Sequence, residues 1–425
     1  MSLTVLAQII MVLTLVIMIT GKTPIYMTAI IGATISALVA GYPLAGSADV
    51  TIASMINSGL NPVIADMTGI LLFIGIMEAA GFFDVIIRDI VRVGNRIGGG
   101  PGVVTAGGIA AGLIGALTGF TQPVITAVIT GPAGVRLGVD PNKAAAIQGH
   151  AGHIGNLFGF THPTQVAIIA TAGLSFGLFN ILGLIAALSV FAMSYFRLTR
   201  DMKARGFTMT AEENAAILKE FEAKEYHATS KQAFAPFVVL VIGFVLGFPI
   251  FLVGLISGIF AMILAKRDPK QSEQEMMKGV GRIATPLVAT IGFLFLSTVI
   301  RNIGLVQVIS DLLKPVLAVA PVQIMFLVAM LTALLTQSYG ASAAIILPFL
   351  QIVIQAGADP FAAGFAAASA GALTQYFLTG GPVAALATVI PVIPGSELKP
   401  ANLFQRPSIL FGLLVALGIS SLLSM

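Results

Sequence analysis

Two stretches of this chain are too apolar to belong in water and too interrupted to face lipid. The first, residues 117–165, reads LTGFTQPVITAVITGPAGVRLGVDPNKAAAIQGHAGHIGNLFGFTHPTQ. The second, residues 336–384, reads TQSYGASAAIILPFLQIVIQAGADPFAAGFAAASAGALTQYFLTGGPVA. In one, Asp140-Pro141 precedes His162-Pro163 by 22 residues; in the other, Asp359-Pro360 precedes Gly381-Pro382 by 22. Inside hydrocarbon every backbone N–H and C=O needs a partner within the protein. A lipid-facing helix therefore does not carry TGFTQP, FGFTHP, QSYGAS or TQYFLTGGP. Irregular backbone at that depth persists only where it is buried in protein or lines a cavity. Paired interruptions in corresponding halves of a chain point to the binding site of a secondary transporter.

The rest of the composition agrees with a membrane setting. The chain has 425 residues, 57% hydrophobic and 9% charged, against roughly 25% charged in soluble domains. Several apolar runs exceed the ~18–20 residues that span a bilayer. Run 3–19 has neither a basic segment before it nor a small-residue cleavage site after it, so it reads as a retained span. There is no cysteine, which excludes disulfides and thiolate metal sites. Four histidines (His150, His153, His162, His227) are too few for a metal relay. No metal, no cofactor and no enzyme active site is expected, since no nucleophile–base pair or nucleotide loop is present. The net charge of +4 sits in loops and reports orientation rather than a nucleic-acid surface.

The expected fold is an all-α polytopic membrane protein made of two inverted-topology repeats. Residues 1–196 form the first, with a re-entrant hairpin at 103–135 and a broken transmembrane helix at 144–175. Residues 197–232 form a cytoplasmic linker with seven basic residues, including a short helix from Thr210 whose Glu213 completes a capping box. Residues 233–425 form the second repeat, with a hairpin at 321–357 and a broken helix at 360–394. Single spans are expected near 67–91, 283–313 and 407–424, a clear breaker at 94–101, and a loop at 266–282. With an offset of 219, Phe120 falls on Tyr339, His150 on Ser369, Asn156 on Gln375 and His162 on Gly381.

Loop charge gives the inversion. Loop 46–66 has no Lys or Arg, whereas 266–282 has five. Turns 92–102 and 136–143 have two each; their counterparts 314–320 and 355–362 hold only Lys314. Since Lys/Arg-rich loops stay cytoplasmic, corresponding loops fall on opposite sides. Both ends of 103–135 then lie inside, so that segment enters and returns. A consistent path leaves both termini outside the inner membrane of a prokaryote.

The breaks supply neutral donors and acceptors, together with helix N-termini that favour anions and carbonyls suited to Na⁺. The expected substrate ligands are Thr118, Phe120, Thr121, Gln122, Asn156, Thr161, His162 and Thr164 in the first half. In the second they are Gln337, Ser338, Tyr339, Ser342, Thr374, Gln375, Thr379 and Gly380. Gln165 belongs to the same polar set. His150, His162 and Ser369 are the expected coupling-ion residues, because a histidine at membrane depth marks a functional site and titrates in the range proton coupling needs. No Arg or Lys lies in either break, which argues against a multiply charged substrate. Glu78 and Arg301, inside matching spans, are given structural roles.

With those breaks in view, the chain resembles the ion transporter superfamily. GFTQPVITAVI followed by LGVDPNKAAAI is similar to the lactate permease family, and NLFGFTHPTQVAIIA is similar to the gluconate permease family. The resemblance implies a homodimer, with a scaffold part at the interface and a transport part that carries the site by an elevator motion. The function so implied is H⁺- or Na⁺-coupled symport of a small organic monocarboxylate, gluconate-like or lactate-like. The alternatives are a cation/proton antiporter of the same superfamily or a dicarboxylate transporter.

Overall fold

A computed structural model describes residues 2–20, 23, 25–58, 62–118, 124–207, 210, 212–213, 216–217, 228–246, 248–281, 284–377 and 381–425. Among these the regular structure is helical. The first half runs α1 (Leu3–Ile19), α2 (Ile25–Val39), α3 (Ile52–Ser58), α4 (Pro62–Ala79), α5 (Phe82–Thr118), α6 (Val124–Arg136), α7 (Pro141–Gly155), α8 (Pro163–Thr171) and α9 (Leu178–Ala204). The second runs α10 (Ser230–Val245), α11 (Ile250–Leu264), α12 (Pro269–Gly281), α13 (Ala284–Asn302), α14 (Leu305–Leu317), α15 (Pro321–Thr336), α16 (Tyr339–Gln355), α17 (Pro360–Thr374), α18 (Gly381–Val389) and α19 (Leu398–Leu423). By length and composition, α5, α9 and α19 are long and apolar enough to cross a membrane.

Helices α7 and α17 form the centre. Each starts on an Asp-Pro pair: Asp140 accepts from the Lys143 N–H at 3.2 Å, and Asp359 from the Ala362 N–H at 2.8 Å. The aspartate satisfies an orphan donor of the first turn, and the proline at N1 is preset for the helix. Both helices are rich in Ala and Gly, and every residue of α17 from Ala362 to Thr374 is buried. Small side chains let backbones approach closely where lipid offers no hydrophobic drive. On α7, a Cβ at Gly155 would lie 2.0 Å from the Gly112 carbonyl oxygen of α5. Helix α7 packs against α5, α6, α18 and α19; α17 packs against α15, α16, α19 and α8.

The helix boundaries correct the sequence reading in several places. The span expected at 67–91 is two helices, parted at Gly81 (φ +70°), and the span expected at 283–313 is parted at Gly304 (φ +73°). Each glycine sits in the left-handed region that ends a helix at little cost. Its N–H donates to the carbonyl three residues back, Glu78 in one case and Arg301 in the other. Glu78 and Arg301 consequently stand exposed in the last turns of α4 and α13 rather than deep in spans. The expected breaker at 94–101 does not end α5, which bends at Gly98 and Gly99 and continues. The loop expected at 266–282 contains α12, and α19 begins at Leu398, well before 407. The capping box at Thr210 is present, with the Thr210 N–H donating to Glu213 at 2.9 Å and the Glu213 N–H to Thr210 Oγ1 at 3.2 Å.

A second layer braces this centre. Asp66 of α4 accepts from the Phe251 N–H at 3.2 Å, at the N-terminus of α11. Arg267 donates to the Ala79 carbonyl, at the end of α4. Both contacts place charge where the helix dipole favours it.

Candidate functional site

Helix α7 stops at Asn156, and a single 3₁₀ turn, Asn156–Phe158, leads through extended Gly159 to His162, the N-cap of α8. The freed backbone is met by protein groups. The Phe160 N–H donates to the Ala116 carbonyl at 2.9 Å, and Thr161 Oγ1 to that of Leu117 at 3.1 Å. Asn180 Nδ2, on α9, donates to the carbonyls of Phe158 and Gly159 at 3.1 and 3.2 Å. Gln165 Nε2 takes the Leu157 carbonyl at 3.3 Å.

The second break, after Thr374, is held the same way by a different side chain. Arg406 of α19 donates through Nη2 to the Phe377 carbonyl at 2.7 Å. Phe158 and Phe377 stand 219 residues apart, the spacing that relates Asp140 to Asp359. So the corresponding carbonyl of each break is held from the last helix of its own half, by an amide in one and a guanidinium in the other.

The two breaks meet at Tyr339, the first residue of α16. The link before it consists of Gln337, left-handed at φ 51°, and Ser338, whose Oγ accepts from the Ala341 N–H at 3.2 Å. The Tyr339 N–H donates to Gln375 Oε1 at 3.2 Å, reaching the second break. Its hydroxyl donates to Gln165 Oε1 at 2.8 Å, with the Ala368 carbonyl at 3.2 Å as the other acceptor in reach. Its carbonyl accepts from Thr164 Oγ1 at 3.0 Å, across 175 residues of sequence. Its ring stacks on His162 with centroids 4.8 Å apart and planes 28° apart. The ring has room because residue 371 is glycine: a Cβ there would lie 2.9 Å from Tyr339 Cε2.

Of the residues expected from sequence, Asn156, Thr161, His162, Thr164, Gln337, Ser338, Tyr339, Ser342, Thr374 and Gln375 lie along these two breaks and the link before α16. The Thr118 side chain, Phe120, Thr121, Gln122, Thr379 and Gly380 lie outside the described residues. Several hydroxyl protons are already committed. Ser342 donates to the Tyr339 carbonyl at 2.8 Å, Thr374 to Ala370 at 2.5 Å and Ser369 to Phe365 at 2.6 Å. A hydroxyl that has given its proton still offers lone pairs, so this set accepts rather than donates. Gln337 likewise spends Nε2 on the Leu334 carbonyl at 2.6 Å and keeps a buried Oε1 with no protein partner.

Sequence reasoning passed over Tyr376, Asn402 and Arg406. Arg406 was taken for the end of a cytoplasmic loop, so the breaks were read as uncharged; the structure brings its guanidinium to the second one. The available signal was an arginine directly before Pro407 and an apolar run, in a polar stretch whose prolines conceal a helix start. His150, on α7, stands edge-on to Tyr376 with centroids 5.0 Å apart. Among the described residues, no three of His, Cys, Asp and Glu cluster closely enough to hold a metal ion.

A cavity of about 460 Å³ opens beside the first break, lined by Leu117, Phe158, Phe160 and Asn180 and faced by Phe237 and Leu240 of α10. Its walls are mostly apolar.

No protein-family model and no curated protein matches the chain. Among solved structures it is similar to the Alcanivorax borkumensis YdaH transporter, whose crystal structure is described as revealing an unusual topology. The two sequences are 16% identical, and the match covers 99% of this chain and 98% of that one with a TM-score of 0.63. Over essentially its whole length, then, this chain shares its fold with a transporter.

Proposed function

We propose that the chain is a secondary transporter that couples H⁺ or Na⁺ to the symport of a small organic monocarboxylate of the gluconate or lactate kind. The observation that carries this reading is the convergence on Tyr339: Thr164, Gln165 and His162 of the first break and Gln375 of the second all contact it. Two broken helices that share one polar centre fit a ligand site near the bilayer midplane. The acceptor-rich hydroxyls and carbonyls there suit a coupling cation, with His150, His162 and Ser369 as its candidate residues.

In this reading the halves are inverted repeats, related by the 219-residue offset of their Asp-Pro caps and by the matched glycine turns at Gly81 and Gly304. Helices α5 and α6, and α15 and α16, are the arms of the two re-entrant hairpins. A homodimer moves α7, α8, α17 and α18 as a transport part past a scaffold. The apolar cavity between the first break and α10 supports such a sliding surface.

The test is uptake into proteoliposomes of purified protein under imposed H⁺ or Na⁺ gradients, with gluconate, lactate and a dicarboxylate panel. Gradient-dependent accumulation of a monocarboxylate is expected. Accumulation of none of the acids would overturn the reading, and H⁺–Na⁺ exchange without any acid would install the antiporter in its place.

A further inference from the structure

Beside the second break, four buried side chains hold polar atoms that make no hydrogen bond within the protein. They are both ring nitrogens of His150, the Tyr376 hydroxyl, Asn402 Oδ1 and Arg406 Nε. His150 and Tyr376 are fully buried and Asn402 is 7% exposed. They come from three separate elements: α7, the segment after α17, and α19. Asn402 and Arg406 both face His150 from α19, short of hydrogen-bond geometry, and the Tyr376 ring meets that of His150 edge-on. An unpaired buried polar group costs ~1–3 kcal/mol. One such group is tolerable; several converging on one place imply a small polar guest that satisfies them.

The chemistry of the free atoms specifies the guest. Arg406 Nε–H and the Tyr376 O–H are donors, the first of them charged; Asn402 Oδ1 is an acceptor; a histidine ring supplies either. Charged donors beside a neutral hydroxyl donor match a carboxylate, and charge-assisted bonds of this kind are the strong ones. The amide oxygen matches a hydroxyl carried on the same molecule. This composition is the complement of the acceptor-rich groups around Tyr339, where hydroxyl protons are already spent on backbone carbonyls.

We infer that Arg406, Tyr376, His150 and Asn402 form the carboxylate end of the substrate site, selecting a hydroxy-monocarboxylate. Arg406 Nε and the Tyr376 hydroxyl hold the carboxylate, and Asn402 Oδ1 receives the substrate hydroxyl. The inference rests on the transporter reading above and gives that reading its fixed positive charge. Arg406 also ties the charge to the break itself, because its Nη2 holds the Phe377 carbonyl.

The experiment measures binding of radiolabelled L-lactate and D-gluconate to purified full-length protein, with monodisperse elution required of every variant. Tyr376→Phe deletes one oxygen that has no partner in the protein, so a purely structural tyrosine would leave affinity unchanged. If the inference holds, it weakens binding about tenfold, the equivalent of ~1.4 kcal/mol. Arg406→Gln weakens binding at least as much, and Arg406→Lys restores part of the loss. Arg200→Gln, at an exposed position of α9, leaves affinity alone. Uncharged lactamide fails to compete, and Asn402→Leu narrows the preference for L-lactate over propionate. Wild-type affinity in both Tyr376→Phe and Arg406→Gln would overturn the inference, and the cluster would then be a water site. The transporter reading survives that result if Asn156→Ala still loses binding. Wild-type protein that binds neither acid would bring down both. If Arg406→Gln elutes as aggregate, Tyr376→Phe decides alone.

Discussion

The hydrogen bond between Tyr339 and Gln165 is the most direct tie between the two halves at their shared centre, and its strength can be measured. The phenol donates to Gln165 Oε1 at 2.8 Å, and both residues are buried, Gln165 fully. In water-soluble proteins a net value of ~1 kcal/mol would be usual. In membrane proteins the unfolded reference also finds partners, and interhelical bonds average ~0.6 kcal/mol with a maximum near ~1.7. The geometry argues for the upper part of that range. Replacing Tyr339 by Phe leaves Gln165 Oε1 buried without its donor. Replacing Gln165 by Leu leaves the phenol the Ala368 carbonyl at 3.2 Å. A double-mutant cycle of Tyr339→Phe and Gln165→Leu should therefore show a coupling of about 1 kcal/mol, roughly fivefold in the unfolding constant. The assay is reversible unfolding in mixed micelles, followed by far-UV circular dichroism. Additivity to within ~0.3–0.5 kcal/mol would refute the claim that this contact holds α8 to α16.

Three further outcomes are expected. Gly371→Ala should displace the Tyr339 ring and cost ~1–3 kcal/mol of stability by overpacking; an unchanged melting profile together with wild-type uptake would count against the ring placement. In this cysteine-free chain, Ser47→Cys should be labelled by an impermeant maleimide from outside intact cells, whereas Glu212→Cys and Lys270→Cys should require permeabilisation; labelling of all three from one side would end the inverted-repeat proposal. Substrate affinity should rise about tenfold with the coupling cation, and cation affinity should rise by the same factor with substrate, since linkage is reciprocal; affinities indifferent to both H⁺ and Na⁺ would remove the coupling.

Much of the centre was legible because its signals are local. An Asp-Pro pair dictates a helix start whatever surrounds it, and α7 and α17 begin there. A glycine-rich polar run inside apolar sequence has no helical alternative in lipid, so the breaks after Asn156 and Thr374 could be placed within a residue or two. The failures have equally specific causes. Gly81 and Gly304 each interrupt a run that is apolar on both sides, and an isolated glycine is tolerated in a helix often enough to hide its left-handed turn. The start of α19 was concealed by Pro400 and Pro407. Pro400 falls in the first turn of the helix, where a missing N–H costs nothing. Arg406 could not be assigned to the second break from its neighbours in sequence, because its acceptor, the Phe377 carbonyl, lies 29 residues upstream.

The division of polar groups between the two ends of this centre gives the proposed coupling a physical basis. Around Tyr339, Thr164 and Ser342 have turned their protons onto its carbonyl, and Gln337 Oε1 is left free. That end presents oxygen lone pairs, which attract a cation and repel a carboxylate. Around Tyr376 the free atoms include a guanidinium N–H and a phenol, which do the opposite. Tyr376 directly follows Gln375, whose Oε1 accepts from the Tyr339 N–H, so the two ends are neighbours. Opposite charges roughly 8 Å apart at an effective dielectric of about 20 attract by ~2 kcal/mol. That is enough for each ligand to tighten the other more than tenfold. Neither ligand alone satisfies both ends. With only the anion bound, the lone pairs around Tyr339 still face an unneutralised negative charge; with only the cation bound, Arg406 adds to a site that is already positive. The doubly loaded state is the one in which this buried centre is electrically balanced, and a centre moving through hydrocarbon is stable only when it is.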